Sequence, residues 1–168
     1  MELAGAYGAS VTGGFLLEPS VVSRITDGQG NSLEGLIPQR KPVISAETAY
    51  LMTSMPQRVV EAGTGRRVKS PGRSVARKTG TSDNFHDAWF IGYTPDILTG
   101  VWIDFDKRRA LGERQTGGRV AAPLWLEFMH AATQDLPIRD FDIPQGIAIM
   151  HIDPRTGWRA RWQAIHFG

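Results

Sequence analysis

Ser74 to Asp104 reads SVARKTGTSDNFHDAWFIGYTPDILTGVWID, and the period of this stretch decides the fold. Val75 to Thr81, Ala88 to Tyr93 and Leu98 to Phe105 are three short strand-like runs. They are joined by Ser82-Asp83-Asn84 and by Tyr93-Thr94-Pro95-Asp96, both rich in turn formers. Connections this short join antiparallel neighbours, because a parallel crossover needs a dozen residues or more. An antiparallel sheet is therefore expected over this region.

Helical and mixed patterns flank it. On the C-terminal side, Arg119 to Thr133 predicts a helix with Ala121, Leu124, Trp125, Phe128, Met129 and Ala132 as its buried stripe, and Pro123 tolerated in the first turn. On the N-terminal side, Ser45 to Ala62 predicts an amphipathic helix, with Ser45 as N-cap and Met52, Met55, Val59 and Ala62 at helical spacing. Pro56 inside it removes a bond to the Met52 carbonyl and costs about 3 kcal/mol or a kink. Gly63-Thr64-Gly65-Arg66-Arg67 lacks the preceding strand and third glycine of a phosphate loop and reads as a helix stop.

Earlier still, Met1 to Ser10 suits a helix end broken by Gly13-Gly14, and Phe15 to Thr26 suits a strand. The turn cluster Asp27 to Asn31 then makes a hairpin with Leu33 to Ile37 returning. Residues 137–157 are looser, with Phe141 to Asp153 a possible edge strand around Gly146. The basic, aromatic segment 158–168 suits either a frayed tail or stacking on nucleic acid.

The whole chain has 168 residues, 41% hydrophobic and 21% charged, which describes one soluble globular domain and excludes a large multidomain enzyme. The lack of cysteine excludes a disulfide framework, a thiol nucleophile and a Cys-ligated metal, and four scattered histidines do not restore a metal site. No cofactor is expected. No run approaches the ~20 apolar residues of a membrane span, and Met1-Glu2-Leu3-Ala4 lacks the blocks of a signal peptide. The 19 basic residues comprise fifteen Arg and four Lys, a bias that fits anion recognition or an ordinary Arg-rich surface.

Chemistry concentrates in Lys78-Thr79-Gly80-Thr81. Alternation along a strand puts the two threonines on one face as a pair of hydroxyl donors for a carboxylate, and Gly80 lets a ligand backbone approach. Lys78 adds positive charge, and a free N–H near Thr81 would stabilise a developing oxyanion. The plainer alternative is a polar strand end running into a turn.

In order along the chain, Glu2-Leu3-Ala4-Gly5-Ala6-Tyr7, Ala49 to Met55, Gly63-Thr64-Gly65, Lys78 to Ser82, Asp87 to Pro95, Thr116-Gly117-Gly118 and Ala121-Ala122-Pro123 closely resemble one family. It is the C-terminal half of the transpeptidase domain of class A penicillin-binding proteins of the 1A type, and the resemblance covers residues 1–157. It implies an α+β fold, an antiparallel sheet flanked by helices as in serine β-lactamases, present here as a partial domain. It also implies acylation of a serine by a D-Ala-D-Ala stem peptide, with trapping by β-lactams. Three motifs carry that chemistry: S-x-x-K, S-x-N and K-T-G.

The resemblance implies that Lys78 is the electrostatic partner of an auxiliary serine and of the substrate carboxylate. Thr79 and Thr81 would hold that carboxylate, and the Thr81 N–H would form half of the oxyanion hole. S-x-x-K is absent, because Pro38, Arg66, Val75 and Asp104 stand three residues before the four lysines. Ser82-Asp83-Asn84 spells S-x-N but directly follows the K-T-G strand, which suits a β-turn rather than the family's separate helical segment.

A second departure is Arg77, a bulky cation where the family usually has a small residue. It would crowd a neighbouring helix or point to solvent. The isolated chain is expected to be inactive. Its expected partners are a stem peptide or β-lactam and the missing N-terminal half of the domain or another chain, without nucleic acid. The parent protein is expected at the periplasmic face of a bacterial inner membrane. A non-catalytic binding or subunit-interaction module is the alternative reading.

Overall fold

A computed structural model describes residues 2–35, 38–62, 73–82, 85–107, 109–150, 152, 153 and 155–159. The expected sheet is present as β5 (Ala76–Thr81), β6 (Ala88–Tyr93) and β7 (Leu98–Ile103), antiparallel in the order β5-β6-β7. Helix α3 (Gly117–Thr133) covers one face. Helices α1 (Glu2–Val11) and α2 (Ala46–Ala62) lie against the other, where the Tyr93 hydroxyl donates to Thr53 Oγ1 of α2 at 3.3 Å. This is an α+β architecture with helices on both faces of an antiparallel sheet.

The core lies between α3 and the sheet, where Val75, Phe90, Ala121, Ala122, Trp125 and Met129 pack together. Trp125 is fully buried, and its indole N–H is shared between the Gly92 carbonyl at 3.2 Å and the Thr99 carbonyl at 3.1 Å. Burying an indole requires such a partner. Gly92 makes room for the ring, because a Cβ there would stand 2.5 Å from Trp125 Cζ2.

The inward stripe of α3 differs from the expected one. Ala121, Trp125, Met129 and Thr133 form an i, i+4 ridge against the sheet with Ala122 beside it, whereas Leu124 and Phe128 are exposed. The two ridges are one residue apart in phase, about 100° around the helix, and only one of them can face a flat sheet. Pro123 is the seventh residue of α3 and not in its first turn, since the helix starts two residues earlier than the spacing indicates.

In α2, Ser45 caps the helix by accepting the Thr48 N–H at 3.2 Å, and the helix runs through Pro56. Its inward residues are Ala49 and Thr53, whereas Met52 and Met55 are exposed. The side chains of Val59 and Ala62 lie outside the described residues, as does Gly63 to Arg67.

The expected strand over Phe15 to Thr26 is two strands. β1 (Phe15–Leu17) pairs with β4 (Arg40–Pro42), and β2 (Arg24–Thr26) pairs with β3 (Ser32–Gly35). The break follows Pro19, which has no N–H to give a ladder, and a turn in which Ser20 Oγ bonds both backbone groups of Val22. The expected hairpin holds: Asp27 accepts the N–H groups of Gln29 and Asn31, and Gly30 takes φ +86°. Of its returning arm, residues 36 and 37 lie outside the described residues.

The described residues between Phe141 and Asp153 form no strand. Among the described residues there, only Ile152 forms a β-bridge, to Arg159. Phe141 docks edge-on against Tyr93 at 5.7 Å, and Pro144 opens a turn closed by Ile147 N–H. Side-chain anchoring and proline have replaced the ladder. Residues 160–168 of the expected tail lie outside the described residues.

Candidate functional site

β5 is an edge strand, and its hydrogen-bond alternation determines what the edge offers. The Ser82 N–H donates to the Asp87 carbonyl at 3.3 Å, which marks 82 and 87 as a hydrogen-bonded pair in line with the β5–β6 register. Such pairs recur at every second residue, so Lys78 and Gly80 turn their backbone groups inward to Ile91 and Trp89. Thr79 and Thr81 then turn theirs outward, along an edge that no described strand covers. The Thr81 N–H and the Thr79 carbonyl are therefore presented side by side.

Side chains alternate the other way. Thr79 lies opposite Phe90 on the α3 face, and its Cγ2 approaches Gly118. Lys78 lies on the opposite face, exposed, with its ammonium 2.6 Å from the Thr79 carbonyl oxygen to which it donates. Positive charge is thus held directly at the outer edge, where an anionic or carbonyl-bearing ligand would lie. The Thr81 side chain lies outside the described residues.

Gly80 sits opposite Trp89, whose Cβ is 3.3 Å from where a Gly80 Cβ would stand. Trp89 in turn stacks on Trp102 with ring centroids 5.6 Å apart. Arg77 is buried rather than turned to solvent, on the α3 face opposite Gly92, and burial lowers its pKa from the ordinary guanidinium value.

Ser82 follows β5 in a tight connection in which its hydroxyl accepts the Asp87 N–H at 3.0 Å and its carbonyl accepts the Phe85 N–H at 3.2 Å. Both interactions are those of a turn. Asp83 and Asn84 lie outside the described residues.

Sequence reasoning missed Gly117 as a residue that shapes the site strand. The available signal was two helix-weakening glycines side by side at the start of the best helix. In the structure Gly117 faces the Gly80 and Trp89 carbonyls of the ladder, whereas Gly118 is exposed beside the Thr79 methyl at ordinary contact distance.

A cavity of about 350 Å³ opens elsewhere, between α1, α2 and the segment around Phe141. Thr53 lines it and bonds Tyr93, the partner of Ala76 at the far end of β5, roughly 17 Å from Thr81 at strand rise. It is therefore separate from the Lys78 edge. Among the described residues no three His, Asp or Glu side chains converge to hold a metal ion.

Comparison with known proteins identifies the family of the chain. Residues 1–130 match the penicillin binding protein transpeptidase domain. The chain is 36% identical to penicillin-binding protein 1A of Aquifex aeolicus, over 92% of this chain and 21% of that protein. It is 34% identical to penicillin-binding protein 1A of Pseudomonas aeruginosa, over 94% of this chain and 25% of that one. The crystal structure of penicillin-binding protein 1A from Haemophilus influenzae superposes with TM-score 0.87 at 28% identity, covering 95% of this chain and 30% of that one. The chain thus spans about a fifth to a quarter of the length of these curated relatives.

Proposed function

Because the chain belongs to the penicillin-binding protein transpeptidase family, we propose that it supplies the substrate-binding strand of a D,D-transpeptidase that cross-links peptidoglycan stem peptides. The observation that carries this reading is the outward edge of β5, where the Lys78 ammonium bonds the Thr79 carbonyl beside the outward Thr81 N–H. An acyl-D-Ala-D-Ala peptide, or a β-lactam that mimics it, would add alongside β5 as an extended strand. Its terminal carboxylate would meet Lys78 and the hydroxyls of Thr79 and Thr81. Its reacting carbonyl would meet the Thr81 N–H as half of an oxyanion hole. Gly80 keeps side-chain bulk away from that approach.

No Ser-x-x-Lys occurs in the 168 residues. The nucleophile would come from another part of the parent protein, acting at the periplasmic face of a bacterial inner membrane. The chain alone would bind such ligands weakly and reversibly, and would not become acylated.

Titrating the isotope-labelled chain with N-acetyl-D-Ala-D-Ala should move the amide signals of residues 79–81. Lys78→Ala should weaken binding about tenfold, the loss of one charge-assisted bond. Amide signals that stay still at millimolar peptide, or covalent labelling by a fluorescent penicillin, would overturn the proposal.

A second reading rests on the exposed Leu51, Met52 and Met55 of α2. Together they make an apolar face suited to the remainder of the transpeptidase domain or to another chain. Sedimentation as a monomer at high concentration would argue against self-association through it.

A further inference from the structure

We infer that Gly117 is a positioning residue, which fixes where the outer edge of β5, and with it the Thr81 N–H, stands relative to the core. The inference rests on the reading of β5 as the substrate-binding strand.

Gly80 and Trp89 are a cross-strand pair; the Trp89 side chain lies on the sheet face away from α3, and Gly80 has none. On the α3 side this pair is therefore bare backbone, a shallow seat beside the side chains of Thr79 and Phe90. The first residue of α3 occupies it. A Cβ on Gly117 would stand 2.0 Å from the Trp89 carbonyl oxygen and 2.7 Å from the Gly80 carbonyl oxygen. Both obstacles are backbone atoms in a ladder, so neither can rotate aside.

Gly117 is buried and has no positive φ, so space rather than backbone conformation demands glycine here. Gly118 differs: it is exposed, and its Cβ would meet only the Thr79 methyl, at an ordinary 3.5 Å.

Restoring a carbon–oxygen separation of about 3.3 Å at position 117 requires a displacement of more than ~1 Å. Trp125 ties α3 to the Gly92 and Thr99 carbonyls, so the strand end at Gly80 and Thr81 is the part that yields. Misplacement of a catalytic group by 1 Å can cost about 100-fold in rate, so this seat bears directly on the oxyanion N–H.

The test uses the isotope-labelled 168-residue chain with Gly117→Ala, Gly118→Ala and Thr116→Asp. Gly117→Ala should move the ligand-free amide signals of Gly80 and Thr81 while the Trp125 indole signal stays in place. It should also lower N-acetyl-D-Ala-D-Ala affinity at least about tenfold. Gly118→Ala should do neither. A role confined to general stability would move the Trp125 indole as well and would not discriminate between the two glycines.

Thr116 is the N-cap of α3 and makes no side-chain cap bond. Thr116→Asp, which adds a cap, should slow amide exchange at Gly80 and Trp89 about fivefold, and it decides the matter if Gly117→Ala does not fold. Thr81 signals in Gly117→Ala that match those of Gly118→Ala, or exchange unchanged in Thr116→Asp, would overturn the inference. If the wild-type chain binds no peptide, the substrate reading falls, and the ligand-free shift at Thr81 alone decides the positioning role.

Discussion

Replacing Gly92 by alanine tests how α3 is held to the sheet. The new methyl would stand 2.5 Å from Trp125 Cζ2 and 2.6 Å from Cε2, against about 3.5 Å for ordinary carbon contact, so the ring must retreat by about 1 Å. Overpacking of this kind costs ~1–3 kcal/mol. The retreat also stretches the indole bonds to the Gly92 and Thr99 carbonyls, for a further ~1 kcal/mol. The total is about 3 kcal/mol, or a Tm lower by roughly 6–12 °C for a chain of this length.

Trp125→Phe loses the same hydrogen bond, about 1 kcal/mol, and leaves a void of ~40 Å³, about 1 kcal/mol more. The phenyl ring removes the Cζ2 clash but keeps an atom near the Cε2 position, and the indole bonds are lost only once, so the double variant should cost ~3–4 kcal/mol rather than the sum of about 5. Urea unfolding followed by far-ultraviolet circular dichroism measures all four corners of the cycle. Additivity to within ~0.5 kcal/mol would refute the geometry.

Two further outcomes follow from the same packing. Met129→Ala should cost ~2–5 kcal/mol, whereas Leu124→Ala and Phe128→Ala should stay below about 1 kcal/mol; equal losses in urea melts would restore the wider stripe. Burial raises the Tyr93 pKa above its ordinary 10.0, with the Thr53 contact opposing. The buried phenol therefore stabilises the fold fully below the unfolded value, and that contribution is lost as pH rises through the folded one. Tyr93→Phe should flatten the decline in stability above pH ~10, and an unaltered decline would show that another group causes it.

Much of the fold was legible in the sequence because local rules and tertiary demands agreed. The three strands of the sheet carry turn formers at both connections, and Asp27 to Asn31 is a turn by its own side-chain bonds. The failures were tertiary. Periodicity puts Trp125 and Leu124 on the same broad apolar arc, and only the flat sheet chooses between them. Nothing local tells Phe15 to pair with Pro42 across 27 positions. Phe141 is held by Tyr93, a contact that mimics strand hydrophobicity in the sequence without forming a ladder.

The Lys78 to Thr81 motif was visible as a set of residue types. Which of its backbone groups face outward depends on the register with β6, and the role of Gly117 depends on a helix seated on bare backbone. Neither has a signature in residue type alone.

The outer edge of β5, which no described strand covers, has a consequence for solubility. A row of outward donors and acceptors makes no distinction between a stem peptide and any other extended chain, including a second copy of itself, and open edges of this kind seed sheet-to-sheet aggregation. β5 cannot be shielded by a neighbouring strand without closing the place where a ligand would lie. Its defence has to come from brevity and charge: six residues, with the Lys78 ammonium set over the Thr79 carbonyl. The same lysine that would draw in a carboxylate thus also repels an uninvited, identical strand.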